Sequence, residues 1–331
     1  MKAVGIRNGK GDANALFIED NVPDPIVEKD KILVRIKAFG LNRMDTMQRE
    51  GNYPARPHWG DILGVEFGGT VEEIGPDCGN DFKVGDRVFS LVYGGAYAEK
   101  VSVSEKMLMH MPENLSFEEA AGTPETYYTA LQAVDLLGDV QKGKTVLIHA
   151  GASGVGLSAI QIAKTLGASK VFATAGSDEK CKICESVGAD VGINYKTTDF
   201  ATVIEKETNG KGVDIIVDMV GRDYWARNIQ IAGVDSRIVI VAMLSGGQID
   251  DFNLRQLMGK RIGILTTTLR TREVDYQINL RNRFVERMLP ALANGEAKTI
   301  VDKVYDWKNV SEAHKRMEAN ANAGKIICTI S

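Results

Sequence analysis

A chain of 331 residues, 44% hydrophobic and 25% charged, has the composition of an ordinary globular protein with enough apolar surface to build two domains. Its net charge of −4, with no basic run to offset it, excludes a partner held mainly through a phosphate backbone, so no nucleic-acid partner is expected. The N-terminal MKAVGIRNGKGDA lacks the apolar core of a signal peptide, no stretch approaches the roughly 20 apolar residues of a membrane span, and the four cysteines are too scattered for a disulfide scaffold; a cytoplasmic location without membrane contact is expected.

From residue 1 to about 123 the chain reads as β-rich. Ile32, Val34, Ile36 and Ala38 alternate with Leu33, Arg35 and Lys37, the two-residue period of a half-buried strand. GGTVEEIGP, VGDRVFSLV and GGAYAEKVSV continue with short, glycine-punctuated strands of a compact barrel-like domain. From 124 to 266 strands and helices alternate, which implies a parallel sheet covered on both faces; strands are expected at 145–149, 170–175, 191–194, 214–219, 236–243 and 261–266. This is the pattern of a doubly wound Rossmann sheet. Residues 267–331 carry a helix over 276–294, a strand at 300–305, a helix over 310–320 and a last strand at 325–329, and are expected to return to the first domain. The cleft between two such domains is the default place for a substrate.

The stretch Lys144–Lys164, KTVLIHAGASGVGLSAIQIAK, is the centre of the functional reading. A short apolar strand runs into a turn punctuated by Gly151, Gly154 and Gly156, and Leu157, Ile160 and Ile162 then recur at helical spacing. Such a turn aims the N–H groups of Gly154, Val155 and the helix start at a pyrophosphate. Ser153 stands where the fingerprint has its second glycine, placing a hydroxyl near the phosphates. The next strand ends in Ala175, Gly176 and Ser177 with no acid for the ribose 2′-hydroxyl of NAD. Small residues there leave room for a 2′-phosphate, Ser177 can donate to it, and Lys180 one turn later can add charge; NADPH is therefore the expected cofactor. Tyr195 is a candidate wall of the same pocket. The strand-end loops Val220-Gly221, Met243-Leu244-Ser245-Gly246 and Thr266-Thr267-Thr268 are expected to face the cofactor.

With LNRMDTMQREGNY (41–53), ILGVEFGGTV (62–71), VGDRV (84–88), HAGASGVG (149–156), TAGSDEK (174–180), GADVGINYKTTDF (188–200) and EAHKRMEANANAGKI (312–326), the chain resembles the zinc-less quinone oxidoreductases of the medium-chain dehydrogenase/reductase superfamily, relatives of zeta-crystallin, over its whole length. The likeness is strongest to their stress-inducible members. The resemblance implies a GroES-like catalytic domain plus a Rossmann domain, NADPH as hydride donor, and a homodimer joined through the Rossmann sheets. It places Asn42, Tyr53 and Thr129 on the nicotinamide and substrate side, Gly176, Ser177, Lys180 and Tyr195 around the adenosine phosphate, and Lys325 at the same cleft.

Zinc-dependent members of the superfamily carry a Cys and a His where Asn42 and Val65 stand here, and the four-cysteine structural lobe has no counterpart, so no zinc is expected. Glu66 keeps its family position and is expected to be structural. Without a Lewis acid the natural acceptor is an electron-poor one such as a quinone, in which developing charge is delocalised; the protein then supplies positioning and hydrogen-bond donors, with Asn42 and Tyr53 the candidates. An enone, alkenal or enoyl-thioester acceptor is the alternative reaction. A low-turnover NADPH-binding module with a structural or nucleic-acid role is the alternative from another class.

Three features invite other readings. Cys181 and Cys184 have CxxC spacing but no second pair, and fall inside a predicted helix. His149 is expected to be a buried, hydrogen-bonded strand-end residue, whereas His58, His110 and His314 show no partner spacing for metal or triad chemistry. The CTIS ending at Cys328 matches a prenylation box but reads as the end of a sheet strand.

Overall fold

In a computed structural model of the chain, which describes residues 1–53, 60–250 and 252–331, the backbone forms two compact units, Met1–Glu125 with Val274–Ser331, and Thr126–Glu273. The first opens with an antiparallel pair, β1 (Ala3–Ile6) and β2 (Leu16–Glu19). It continues through β3 (Lys31–Gly40), α1 (Arg43–Arg49), β4 (Glu66–Ile74), β5 (Arg87–Leu91), β6 (Lys100–Ser104), β7 (Met109–His110) and α2 (Phe117–Ala121). Along β3 the predicted alternation holds from Val34 to Ala38: Val34, Ile36 and Ala38 are buried while Arg35 and Lys37 face water. α2 starts with a reciprocal cap, Ser116 Oγ accepting from Glu119 N at 3.2 Å and Glu119 returning a carboxylate to Ser116 N at 2.9 Å. Next, α3 (Pro124–Leu131) runs directly into a π-helical turn, Gln132–Leu137.

The second unit alternates β8 (Thr145–Ile148), α4 (Gly154–Thr165), β9 (Lys170–Ala175), α5 (Asp178–Ser186), β10 (Val191–Asn194), α6 (Phe200–Glu207), β11 (Val213–Asp218), α7 (Arg222–Ile231), β12 (Ala232–Ile240), α8 (Arg255–Lys260) and β13 (Gly263–Thr266). All six strands are parallel, in the order β10-β9-β8-β11-β12-β13. Counted within the unit this is 3-2-1-4-5-6, with the order reversing between β8 and β11. The central strands can be almost wholly apolar because helices cover both faces: Leu147, Phe172, Ile216 and Ile238 pack with Phe200 and Ile204 of α6 and Ile229 of α7 in one buried core.

The chain then returns to the first unit with α9 (Val274–Arg287), α10 (Leu289–Ala293), β14 (Val301–Asp306), α11 (Val310–Glu318) and β15 (Lys325–Thr329). β15 is inserted between β14, parallel, and β3, antiparallel, in a seven-stranded sheet. Two expectations need correction. The single helix over 276–294 is broken at Met288, because Pro290 in the first turn of α10 has no N–H to continue the helix. The strand expected at 236–243 runs from Ala232 to Ile240; beyond it Leu244 N and Ser245 N bond to Met219 O and Val220 O in the neighbouring loop. Among the described residues no helix is long and apolar enough to cross a membrane.

Candidate active site

The glycine turn leaves β8 and enters α4. Gly156 packs so closely that a Cβ there would lie 2.4 Å from Ala150 O and 2.6 Å from Gly151 O; only glycine lets the helix sit this near the strand end. Ser153 does not point its hydroxyl outward as the phosphate reading supposed. It caps α4, accepting from Gly156 N at 3.0 Å. The N–H groups of Gly154 and Val155, in the first turn, meet no protein acceptor among the described residues. Those two free donors and the positive end of a 12-residue helix are the features expected of a pyrophosphate seat.

At the ends of β9 and β10 four expected residues converge. A Cβ on Gly176 would come within 3.0 Å of the Tyr195 hydroxyl, so the missing side chain makes space beside that ring. Ser177 caps α5, accepting from Lys180 N at 3.3 Å. Its hydroxyl also bonds the Glu179 carboxylate, whose pKa is lowered first by its own backbone N–H and then by Ser177. Ser177 is thus occupied within the helix start. Lys196 also comes in here, its Cε 3.7 Å from the same Gly176 position. The sequence reading stopped at Tyr195 and missed its neighbour; the signal was a second cation just past β10, next to Tyr195 in the sequence.

The strand-end loops expected to face the cofactor are fixed from beneath by a buried polar network. His149 Nε2 lies 2.7 Å from Asn228 Oδ1, Asn228 Nδ2 donates to Asp218 at 3.0 Å, and Asp218 Oδ1 accepts from Val220 N at 2.7 Å and Gly221 N at 3.1 Å. Since Asn228 Oδ1 can only accept, Nε2 carries the His149 proton and Nδ1 accepts from Thr174 Oγ1 at 3.0 Å. Burial pushes the His149 pKa down, consistent with a neutral ring. His149 is therefore the buried strand-end residue expected, and through Asn228 and Asp218 it sets the Val220-Gly221 loop. Ser245 ties the next loop to it, donating to Val220 O at 2.8 Å and accepting from Asp223 N at 3.0 Å. Met243 and Leu244 stand exposed on that loop. Thr267 turns its hydroxyl to Gln132 Oε1 of the π-helical turn at 2.8 Å, leaving Thr266 exposed and Thr129 buried on α3. A π-helical turn of this kind is a frequent mark of functional sites, and no sequence pattern foretold it.

In the first unit Asn42 precedes α1 and its amide is gripped from both ends. Nδ2 donates to Glu66 Oε1 at 2.9 Å, and Oδ1 accepts from Lys325 Nζ at 2.7 Å. Lys325, 4% exposed, also donates to Leu41 O at 2.7 Å and to Glu66 Oε1 at 2.6 Å. Its three ammonium hydrogens are thereby committed, so Lys325 holds Asn42 and Glu66 rather than reaching for a cofactor oxygen. Glu66 is the structural hub expected, its second oxygen accepting from Glu125 N at 2.9 Å. The remaining Asn42 Nδ2–H finds no acceptor among the described residues. Tyr53 is half-buried; the loop following it, 54–59, with His58, lies outside the described residues.

All four cysteines are free. Cys181 and Cys184 lie on the inner face of α5, where burial raises both thiol pKa values, that of Cys184 to about 12, so neither is a ready nucleophile. Cys328 is buried in β15, paired with Tyr305 and Phe39, as its reading as a sheet residue required. His110 is exposed, stacked on Phe82 and bonded to Asp81 O.

A six-stranded parallel sheet in this order, with a glycine turn at its first strand and a helix N-terminus facing its C-terminal end, defines a dinucleotide-binding oxidoreductase unit. Residues 28–113 match the alcohol dehydrogenase GroES-like domain and residues 154–290 the zinc-binding dehydrogenase domain. Human quinone oxidoreductase is 30% identical over 321 residues, covering 96% of this chain and 94% of that protein. Among solved structures, an NAD-dependent alcohol dehydrogenase superposes with a TM-score of 0.88 at 30% identity over 100% of both chains. The Escherichia coli quinone oxidoreductase complexed with NADPH gives 0.87 at 27% over 99% of this chain and 100% of that one. The CurK enoyl reductase gives 0.85 at 26% over 100% and 99%. The chain belongs to the quinone oxidoreductase family of the medium-chain dehydrogenases/reductases, and is an enzyme that uses a nicotinamide cofactor on a small-molecule substrate.

Proposed function

We propose that the protein is a zinc-independent, NADPH-dependent quinone oxidoreductase. The observation that carries this reading is the buried Lys325–Glu66–Asn42 cluster. The zinc that the matched domain's name implies does not fit the residues present. Val65 offers no donor atom, and an ammonium group already stands 2.6 Å from Glu66 and 2.7 Å from Asn42. Among the described residues no group of three or more His, Cys, Asp or Glu side chains is arranged to hold a metal. With no Lewis acid to polarise a simple ketone, an electron-poor quinone is the acceptor that hydrogen bonding alone can serve.

In this reading residues 124–266 form the cofactor domain, and residues 1–123 with 267–331 the catalytic domain. Gly151, Gly154, Val155 and Gly156 seat the pyrophosphate; Lys180 and Lys196, beside Gly176 and Tyr195, take the 2′-phosphate; the Val220, Met243–Ser245 and Thr266 loops and Thr129 line the rest. The bound reduced nicotinamide supplies hydride. Asn42 and Tyr53 orient the acceptor and donate hydrogen bonds to the oxygen on which charge develops. The protein is proposed to be a cytoplasmic homodimer formed along the edge of β13, the last strand of the six-stranded sheet.

Cofactor choice is checked by Lys180→Ala. A charge-assisted hydrogen bond contributes about 1.5–3 kcal/mol, so the KM for NADPH should rise roughly 10- to 100-fold while that for NADH stays within about twofold. Equal rises remove Lys180 from phosphate recognition. The reaction itself is tested by following NADPH oxidation across a panel of ortho- and para-quinones, enones, alkenals and enoyl thioesters. Quinones should be turned over fastest. Rapid enone or enoyl-thioester reduction with no quinone turnover would put the enoyl reductase reading first, and NADPH binding without turnover of any acceptor would leave a binding protein.

A further inference from the structure

We propose that His314 and Tyr97 are positioning residues for Asn42, acting through a one-way hydrogen-bond chain that starts at Arg49 and ends on the Asn42 backbone N–H. The inference rests on the reading that Asn42 contacts the acceptor. Every member belongs to the first unit: Arg49 on α1, Tyr97 ahead of β6, His314 on α11, and Asp45 in the first turn of α1.

The direction of the chain follows from which atoms can donate. Arg49 carries only donors, and its Nη1 lies 3.1 Å from His314 Nδ1, so Nδ1 accepts. Burial and the Arg49 charge push the His314 pKa down to about 3, so the ring is neutral and its one proton sits on Nε2. Nε2 is 3.1 Å from the Tyr97 oxygen and donates to it. The Tyr97 O–H, kept protonated by its burial, must then turn to Asp45 Oδ2 at 3.2 Å. That carboxylate oxygen also accepts from Asn42 N at 2.8 Å. Flipping any link would set two donors against each other in a water-free interior, so one arrangement is fixed.

The surroundings hold the chain still. Arg49 is anchored at its other nitrogens by Gly11 O, Glu50 and Glu318. The Tyr97 ring stacks on Phe39 with centroids 4.3 Å apart, and it fills the space a side chain at residue 64 would need. A Cβ on Gly64, whose φ is +90°, would come 2.3 Å from the ring. Asp45 alone suffices to cap α1, and capping does not call for a buried Tyr, His and Arg behind it. What those three add is a defined place for the Asn42 backbone, while Lys325 and Glu66 define its amide. The open Nδ2–H is thus aimed by two buried networks that meet at one residue.

The test is a double-mutant cycle read in kcat/KM for a quinone with saturating NADPH. Tyr97→Phe, which keeps the ring and removes the hydroxyl, is expected to lower kcat/KM roughly 10-fold in the native background, to leave the KM for NADPH unchanged, and to have no further effect in an Asn42→Ala background. His314→Gln, able to accept and donate, should retain most activity, whereas His314→Leu should lose as much as Tyr97→Phe. Equal losses from Tyr97→Phe with and without Asn42 would overturn the positioning role, leaving the chain purely structural. Should Tyr97→Phe not fold, the same cycle run with His314→Gln against His314→Leu decides. If Asn42→Ala leaves quinone turnover intact, the reading of Asn42 falls and the inference with it. If Asn42→Ala abolishes turnover while Tyr97→Phe is silent, the reading of Asn42 stands and the chain alone is refuted.

Discussion

Replacing Lys325 by Met is expected to destabilise the protein by about 3–5 kcal/mol and to abolish quinone reduction, because it strands the Glu66 carboxylate in the interior without a countercharge. Glu66 is fully buried and Lys325 is 4% exposed, and their contact is 2.6 Å. Glu66 would keep hydrogen bonds from Asn42 and Glu125 N, which solvate the charge without neutralising it. A second substitution separates charge from shape. Glu66→Gln added to Lys325→Met should recover much of the stability, since a buried ion pair exchanged for neutral groups often costs little, but not the activity, since Asn42 would still lack the partner at its Oδ1. Urea unfolding of the native protein and both variants measures the stability arm. A single-variant loss below about 1 kcal/mol would show that the pair is not sealed from water.

Acid should unfold the protein through its histidines before its carboxylates have all titrated. His314 has a native pKa of about 3 against roughly 6.5 in an unfolded chain, and that of His149 is lowered in the same direction. Between these values the unfolded state takes up a proton that the native ring refuses. Stability from this source is therefore complete above about pH 7 and is lost progressively as pH falls from about 6.5 towards 3. For His314 the full shift corresponds to roughly 5 kcal/mol. The measurement is unfolding free energy from about pH 8 to pH 4 for the native protein and His314→Gln, whose side chain does not titrate. The variant should show a visibly shallower decline. Parallel curves would mean that the His314 ring is hydrated or already paired with an acid.

Local signals in the sequence were enough for the second unit. Strand runs such as TVLI and IIVD, glycines in the β8–α4 turn and helical spacing after it are written within a few residues of one another, and the sheet order follows from the alternation. Helix capping was legible but misread: a serine immediately before a helical run is an N-cap signature, and both Ser153 and Ser177 serve as caps. Pro290 should likewise have ended the expected long helix. The networks in the first unit were not legible, because their partners are far apart in the chain. Tyr97 and His314 are separated by 217 residues, and Asn42 and Lys325 by 283. His314 showed no partner spacing because its partners come from α1 and from the segment before β6, brought together only by folding. Resemblance put Lys325 in the right region with the wrong task, since proximity to a site does not reveal which way an ammonium group spends its hydrogens.

The insertion of β15 between β14 and β3 has a consequence for how the protein is made. Lys325 leaves the ribosome 259 residues after Glu66, and the whole cofactor-binding unit is synthesised between them. During that interval the nascent first unit has a sheet with a strand-wide gap and an acid whose countercharge does not yet exist. The cofactor-binding unit, continuous in sequence, is free to close first. Ordering of the Asn42 amide, held by Lys325, must await the return of the chain, so that geometry becomes a late event in biosynthesis.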